Sequence, residues 1–344
     1  MTTSHKTHAH RGPLRPLPDL RDDTGLVEVE HLMVQLAAGS HLERAGAMAQ
    51  THLATGGKRL RARLVLAALE ALGGSRLEGV GWAAAVELLH NATLVHDDIQ
   101  DGDRVRRGEP TTWVRYGVGQ AINVGDLMLM LPTLAIEQAS DDDGVRWRLA
   151  RVLAWQATEI VRGQSEEMGL LQSGRFDAAS YRQAVIGKTA GLFTLPVEGA
   201  ALVAGHDADA AREIGACFGG LGLLFQMVDD VLDLYCDKGR GEVGCDIREG
   251  KVSALVVAHL NRVPGDRRWL LELLELPREE TSDEQVQETI AIFRGSGALG
   301  DVMAEIQQLI HAAETSPVLR AEPALHAVAL GLARLAVAPV EHLA

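Results

Sequence analysis

Apolar residues recur at helical spacing along almost the whole chain, from Val27 onward. No stretch alternates β-branched and polar residues between turn signals, the pattern typical of half-buried strands. Hydrophobic residues make up 47 % of the 344 residues and aromatic residues only 4 %. The apolar content is mostly Ala, Leu and Val, which favours close helix packing over a sheet sandwich. We therefore predict an all-α protein.

Glycine pairs and polar turns divide this pattern into long helical segments. A short break is expected at Gly187, and no linker rich in Pro, Gly or Ser splits the chain. We predict a flexible N-terminal tail over residues 1–25 and a single large helical bundle over residues 26–344. The predicted helical segments are 27–55 (as one helix or two), 60–72, 80–101, 118–138, 146–171, 176–186, 192–204 and 208–235.

The charge balance and the cysteines exclude some functions and indicate a compartment. A net charge of −14 argues against nucleic acid as a partner, because phosphate backbones need a basic surface. The three cysteines, Cys217, Cys236 and Cys245, are odd in number and have no metal-binding spacing, so we expect free thiols in a reducing compartment. The N-terminal residues hold no apolar stretch like that of a secretory signal, and the apolar runs are too short to span a bilayer. We expect a cytoplasmic protein without a transmembrane segment.

An aspartate cluster closes the predicted helix 80–101. Asp97 and Asp101 are four residues apart, which places both carboxylates on one face of a helix. Like charges at this spacing, and anions at a helix C-terminus, are both unfavourable unless a cation offsets them. The pair Arg106-Arg107 follows in a loop and offers cations for a phosphate. A Mg²⁺ site fits this pattern, and a solvated acidic helix end is the alternative.

The same spacing recurs once more in the chain. Asp229, Asp230 and Asp233 follow a strongly apolar segment, and Lys238 lies five residues beyond them. Two such clusters on separate apolar helices are much harder to explain as surface charge than one cluster. Acidic groups for metal, followed by basic groups for phosphate, predict a site for a diphosphate.

These segments resemble the trans-isoprenyl diphosphate synthases, or polyprenyl synthetases, from Gly56 to about Lys251. One departure is visible: the family's proline after the first arginine motif is Ala62 here, a backbone detail that removes no ligand. The resembling motifs are Gly57-Lys58-Arg59-Leu60-Arg61, His90, Leu94 to Asp101, Arg104 to Gly108, Gly125-Asp126, Gly187-Lys188-Thr189-Ala190, Phe225 to Asp230 and Lys238.

The resemblance implies an all-α fold of the isoprenoid synthase type, with long helices around a deep central cavity, and a homodimer. It implies three Mg²⁺ ions, for which Mn²⁺ can substitute. Asp97 and Asp101 would bind two of these ions and Asp229 the third, with Asp98, Asp230 and Asp233 completing and orienting the metal site.

The resemblance also implies two substrates, isopentenyl diphosphate and an allylic diphosphate, joined head to tail by ionisation, condensation and elimination. Thr189 and Gln226 would stabilise the allylic cation. The residues expected on the allylic diphosphate are Arg106, Lys188 and Lys238. Those expected on isopentenyl diphosphate are Lys58, Arg61, His90 and Arg107.

Product length is expected to depend on the helical turn before Asp97. In short-chain relatives the position five before the first aspartate is often aromatic, whereas here it is Ala92. We therefore expect Ala92 and Thr93 to line the channel without closing it, and Ala92→Phe to shorten the product. Leu88, Leu89, Met128 or Leu131 would close the channel deeper. The predicted product has twenty carbons, as in geranylgeranyl diphosphate, or more.

Two other functions fit parts of the pattern. A class I terpene cyclase also ionises an allylic diphosphate at a metal-bound aspartate cluster, but it has no need of a second diphosphate site and usually carries a different second motif. A non-catalytic subunit of a heteromeric synthase typically loses its aspartate motifs, and both are intact here.

Overall fold

The computed structural model describes residues 18–39, 44–235 and 243–343, and this part of the chain is almost entirely helical. The helices are α1 (Leu26–Ala38), α2 (Arg44–Ala54), α3 (Leu60–Ala71), α4 (Val80–Gln100), α5 (Thr112–Tyr116), α6 (Val118–Ile136), α7 (Asp143–Gly169), α8 (Ala178–Val185), α9 (Gly191–Val203), α10 (Ala208–Ala216), α11 (Gly219–Tyr235), α12 (Cys245–Arg248), α13 (Ala254–Arg262), α14 (Arg267–Leu274), α15 (Asp283–Ser296), α16 (Ala298–Thr315), α17 (Pro317–Ala321) and α18 (Pro323–Val337). Short 3₁₀ turns cover Arg76–Gly79, Pro264–Asp266, Arg278–Glu280 and Glu341–Leu343. The all-α prediction is confirmed.

Helix α4 forms the centre of the bundle because nearly every side chain from Gly81 to Leu89 is buried. It packs along α6, and two glycines allow the close approach: a Cβ on Gly81 of α4 would overlap the backbone of Gln138 and Ala139 just after α6, and a Cβ on Gly125 of α6 would overlap the His96 side chain of α4. Trp82 lies against Gly199 of α9, and its indole N–H donates to the carbonyl of Pro196 at 3.2 Å. Small residues at helix contacts therefore set the spacing on which the cavity depends.

Three local expectations are wrong. The chain does not break at Gly187: α8 continues through a π-helical turn, Ile186–Ala190, into α9. The segment predicted as one helix over 208–235 is two, because α10 ends at Ala216 and α11 begins at Gly219. The loop after α4 contains a two-residue antiparallel pairing, β1 (Val105–Arg106) with β2 (Glu109–Pro110).

The start of the described chain packs on the bundle ahead of α1. Leu20 is 6 % exposed, and Arg76 donates to the carbonyls of Asp19 and Asp22 at 2.7 and 3.2 Å. Residues 1–17 of the predicted tail lie outside the described residues, and the tail and its boundary stay a prediction.

Two stretches of the described chain, Val118–Ile136 and Ala208–Tyr235, are long and apolar enough to cross a membrane. The first packs along α4, and the second is divided between α10 and α11 and carries the second aspartate cluster. Core helices of a folded domain have the same composition.

Candidate functional site

A cavity of about 820 Å³ opens between α4, α6, α7, α9 and α11. Its lining contains most of the residues predicted from the sequence, which come from segments far apart in the chain. These lining residues are Arg61, His90, Thr93, Asp97, Asp101, Arg106, Lys188, Thr189, Gln226, Asp229 and Asp230.

The first cluster, at the C-terminal end of α4, presents two of its carboxylates to the cavity. Asp101 accepts a hydrogen bond from Lys251 at 2.9 Å. Burial acts to raise the pKa of Asp101, but Lys251 and Lys188 outweigh it, so the pKa is lowered. Burial raises the pKa of Asp97, which accepts no side-chain hydrogen bond from the described residues. A desolvated carboxylate without a donor is a strong attractant for a cation.

The third carboxylate of this cluster, Asp98, is not a lining residue and forms an ion pair within the protein. Asp98 is 1 % exposed and accepts from Nε of Arg106 at 2.6 Å. Burial raises the pKa of Asp98 to about 6, even though Arg106 acts to lower it. The pair fixes the loop that follows α4.

The second cluster, on α11, divides differently. Asp229 is exposed to the cavity mouth, whereas Asp230 is 3 % exposed and accepts three hydrogen bonds. These come from the Tyr181 hydroxyl at 2.8 Å, the Gln226 amide at 2.9 Å and the Ala254 N–H at 2.7 Å. Asp233 is 2 % exposed and accepts from the backbone N–H of Asp246 at 2.9 Å. In this cluster, two of the three carboxylates therefore join α11 to neighbouring segments.

The π-helical turn Ile186–Ala190 presents Lys188 and Thr189 to the cavity. The turn lies close against α7, since a Cβ on Gly163 would overlap the backbone of Lys188. The Thr189 hydroxyl donates to the amide oxygen of Gln226 at 3.1 Å. Single π turns within helices recur at functional sites, and here the extra residue turns both side chains inward.

A cluster of basic groups borders the cavity behind α4. The Arg61 guanidinium lies 5.0 Å from the Phe193 ring centre, and burial lowers the pKa of Arg61. Burial, helped by Arg61, holds the pKa of His90 well below its usual value, so its imidazole is neutral. Lys58 and Arg107 lie outside the lining, exposed on adjoining loops, where Arg107 packs on Gly57 and donates to the carbonyl of Gly56.

Ala92 and Thr93 occupy different positions relative to the cavity. Ala92 is fully buried and is not a lining residue, whereas its neighbour Thr93 is. One position along α4 rotates a side chain by about 100°, and the effect of Ala92 on product length stays a prediction. Leu88, Leu89, Met128 and Leu131 are likewise buried outside the lining, whereas Leu129, Ile160, Leu192 and Phe225 line it. Lys238 lies outside the described residues.

The structure also adds residues that sequence reasoning did not select. Glu167 of α7 accepts a hydrogen bond from the Lys188 ammonium, and both side chains are largely shielded from solvent. Lys251 pairs with Asp101 and also with Glu249 at 2.7 Å. Lys251 follows Gly250, which adopts φ +68° in the turn Glu249-Gly250-Lys251. No feature of α7 distinguishes Glu167 from Glu166.

The donor set fits Mg²⁺ shared with a ligand. Among the described residues, no group of three His, Cys, Asp or Glu side chains is arranged so that it could hold a metal ion by itself. Asp97 and Asp101 instead face the cavity from one side and Asp229 lines the same cavity. Mg²⁺ is usually held by one or two carboxylates, with water and substrate phosphate at its remaining positions, so the residues present fit this ion.

Comparisons with known proteins agree with these features. A family model described as polyprenyl synthetase matches residues 43–293. The chain is 36 % identical over 258 residues to the short chain isoprenyl diphosphate synthase of Methanothermobacter thermautotrophicus, covering 73 % of this chain and 77 % of the relative. It is 37 % identical over 263 residues to the geranylgeranyl diphosphate synthase of Mycobacterium tuberculosis, covering 76 % and 74 %.

Among solved structures, the fold is similar to that of a polyprenyl synthase from Caulobacter crescentus CB15, crystallised with calcium and isoprenyl diphosphate. The TM-score is 0.81 at 27 % sequence identity, and the match covers 94 % of this chain and 98 % of the other.

Proposed function

Since this chain belongs to the polyprenyl synthetase family, we propose that it is a trans-prenyltransferase. It condenses isopentenyl diphosphate with an allylic diphosphate and makes polyprenyl diphosphates of twenty carbons or more. One observation carries the proposal: Asp97, Asp101 and Asp229 face a single cavity together with Lys188 and Lys251, and apolar side chains such as Leu129 and Ile160 complete its lining. Such a cavity binds a metal-complexed diphosphate at its mouth and an apolar chain below.

The allylic substrate is ionised at the mouth of the cavity. Asp97, Asp101 and Asp229 would hold three Mg²⁺ ions, which supply Lewis-acid stabilisation of the leaving diphosphate. Lys188 donates to the diphosphate oxygens as the C–O bond breaks and its electron pair leaves with oxygen. Arg106 supports them from its ion pair with Asp98. Mn²⁺ would serve in place of Mg²⁺, since both accept oxygen ligands.

The floor of the cavity protects the carbocation. The oxygens of Thr189 and Gln226 stabilise its positive charge, and the apolar lining excludes water. The double bond of isopentenyl diphosphate attacks the allylic carbon and forms the new C–C bond. A proton then leaves the adjacent carbon, with the released pyrophosphate as its acceptor, and a new double bond forms.

The basic cluster binds the second diphosphate. Arg61 and neutral His90 reach the cavity, while Lys58 and Arg107 are exposed on the loops beside it. Closure of these loops around isopentenyl diphosphate would bring all four groups to its oxygens. Lys238 stays a predicted ligand of the allylic diphosphate.

The product fits a cavity in which the helical turn before Asp97 presents no Phe, Tyr or Trp side chain. The lining residues of that turn include Thr93 and Leu94. Leu129, Ile160, Leu192 and Phe225 line the apolar part. A product of twenty carbons or more, with geranylgeranyl diphosphate as the simplest case, follows from this shape and from the relative of that name in Mycobacterium tuberculosis.

The protein is a homodimer in this proposal, joined through α6 and α7. Six large apolar side chains that are exposed on the described chain lie on these two helices, outside the cavity lining. They present on the order of 500 Å² of apolar surface, about the apolar share that one partner buries in a standard interface. They are Val118, Ile122, Met130, Leu134, Trp147 and Trp155.

Sedimentation of a double variant, Trp147→Glu with Trp155→Glu, tests the dimer. The wild type should sediment as a dimer and the double variant as a monomer. A wild-type monomer at micromolar concentration would contradict this assembly. A cytoplasmic location agrees with the free thiol of Cys217.

A product assay tests the function. The purified protein is incubated with Mg²⁺, isopentenyl diphosphate and each allylic primer of five, ten or fifteen carbons, and the products are sized. We expect polyprenyl diphosphates of twenty carbons or more, and none without isopentenyl diphosphate. Hydrocarbons formed from an allylic diphosphate alone would indicate a terpene cyclase, and a main product of fifteen carbons would overturn the length.

A further inference from the structure

Glu167 is a shielded carboxylate that belongs to neither aspartate cluster. Its side chain, 15 % exposed on α7, lines the cavity and pairs with Lys188, whose side chain is 18 % exposed. A charge pair this far from water attracts more strongly than a pair on the surface. The pair joins α7 to the π-helical turn that presents Lys188.

Lys188 has a second anion within reach. After Glu167, Asp97 is the carboxylate that most favours the charged form of Lys188. No hydrogen bond joins Lys188 to Asp97. Lys251, the other lysine of the cavity, does hydrogen-bond a carboxylate of the first cluster, Asp101. Among the described residues, Asp97 is thus the carboxylate of that cluster that accepts no donor.

We propose that Glu167 is a positioning residue that holds the Lys188 ammonium away from Asp97. This keeps Asp97 open to a divalent cation and keeps Lys188 on the side of the cavity where a diphosphate enters. An ammonium has three N–H donors, so Lys188 can keep one on Glu167 and offer the others to diphosphate oxygens. The inference rests on the proposed function, because it assigns Lys188 to the allylic diphosphate.

The amide of Glu167→Gln removes the negative charge with little change in shape. Lys188 should then move to Asp97, the carboxylate that after Glu167 most favours its positive charge, and compete there with the metal. Changing a residue that supports a metal ligand costs ten to a hundredfold in affinity, and we expect about tenfold weaker Mn²⁺ binding. The KM for the allylic diphosphate should rise, with the KM for isopentenyl diphosphate unchanged, because the basic cluster is not touched.

Free Mn²⁺, measured by electron paramagnetic resonance in the presence of inorganic pyrophosphate, reports metal binding without turnover. The variants are Glu167→Gln, Glu167→Asp, Lys188→Gln and the double variant of Glu167→Gln with Lys188→Gln. Glu166→Gln is the matched control, since Glu166 is the neighbouring residue of α7 and pairs with Arg175 on the surface. We expect Glu166→Gln to bind as the wild type does and Glu167→Asp to lie between the wild type and Glu167→Gln.

The double variant separates positioning from a general structural role. If Glu167 acts through Lys188, adding Glu167→Gln to Lys188→Gln should change Mn²⁺ affinity by less than about twofold. Wild-type Mn²⁺ affinity in Glu167→Gln, or equal weakening with and without Lys188, would overturn the inference. If Glu167→Gln does not fold, wild-type affinity in Glu167→Asp overturns it. A wild type that makes no polyprenyl diphosphate refutes the proposed function instead.

Discussion

The two aspartate clusters have the same spacing in sequence and different uses in the structure. In the first, Asp97 and Asp101 face the cavity and only Asp98 is withdrawn, held by Arg106. In the second, Asp229 is exposed at the mouth, while Asp230 and Asp233 are buried and bind α11 to its neighbours. The first cluster therefore offers more ligand oxygen, and the second contributes more to stability.

The difference comes from donors that lie elsewhere in the chain. Asp98 is neutralised by a guanidinium, eight residues further on. Asp230 receives only neutral donors, from Tyr181, Gln226 and the N–H of Ala254. Carboxylates of one motif thus become metal ligands or structural acceptors according to what packs against them.

The largest expected effect is on catalysis. Asp97→Asn should lower kcat by about 10³-fold, the loss typical of removing one preorganised electrostatic contact at a transition state. Asp98→Asn should lower kcat about tenfold at most, because Asp98 acts through Arg106. Steady-state kinetics at saturating substrates and Mg²⁺ measure both. Equal losses in the two variants would break the division within the first cluster.

Stability should show the opposite order. Asp230→Ala leaves three buried donors without an acceptor, at roughly 1–3 kcal/mol each before relaxation, and should cost about 3–5 kcal/mol of unfolding free energy. Asp97→Ala should change it by less than about 1 kcal/mol, because Asp97 accepts no hydrogen bond from the described residues. Urea unfolding of the metal-free protein measures both. A more destabilising Asp97→Ala would contradict the comparison.

Acid should lower the stability of the protein through the buried residue His52. Burial, with Arg106 and Arg107, lowers the pKa of His52 from 6.5 to about 3, so the folded protein holds this imidazole neutral. Below pH 6.5 the unfolded chain binds a proton at His52 that the folded chain does not bind. The contribution of neutral His52 to the free energy of unfolding is therefore fully present above pH 6.5. It is lost as the pH falls toward 3, by about 2 kcal/mol at pH 5.

His52→Gln should remove this loss. Unfolding by urea at pH 7 and pH 5, in wild type and variant, isolates the histidine, because the carboxyl groups common to both proteins cancel. The wild type should lose about 2 kcal/mol more than the variant. An identical pH dependence in the two proteins would show that His52 is not held neutral.

The smallest effect concerns what lies below the first cluster. Thr93→Phe places an aromatic ring in the cavity and should shorten the main product by one or two isoprene units, with the protein stable. Ala92→Phe overpacks the core and should cost about 1–3 kcal/mol of stability, with the product length retained. Product sizing and thermal unfolding of both variants test this, and a shorter product from Ala92→Phe alone would support the sequence prediction.

Much of the fold is readable from the sequence because helical periodicity is a local signal. The predicted helix over 80–101 agrees with α4, Val80–Gln100, to one residue, and the predicted 60–72 agrees with α3 equally well. The π-helical turn escaped prediction because Gly187 usually breaks a helix, whereas here close contact with Gly163 keeps the chain helical. Tertiary packing overrides the local signal at that point.

The candidate site, like the fold, could be predicted from the sequence only in part. The motifs locate both clusters, and their spacing already separates Asp97 and Asp101 from Asp98 by helix face. The spacing does not reveal that Arg106 holds Asp98 or that Tyr181 donates to Asp230. Glu167 and Lys251 depend on which side chains the fold brings opposite the first cluster, information that no single segment contains. Sequence therefore identifies the helices that carry the chemistry, and packing selects the groups on them.

We expect Asp97, Asp101 and Asp229 to hold the metal ions, while Asp98, Asp230 and Asp233 form contacts within the protein. Crystals grown with Mn²⁺ and pyrophosphate, with anomalous scattering collected for manganese, test this division. Manganese peaks should lie within ligand distance of carboxylate oxygens of Asp97, Asp101 and Asp229, with Asp230 still bound to Tyr181 and to the N–H of Ala254. Manganese coordinated directly by Asp98 or Asp230 would contradict it.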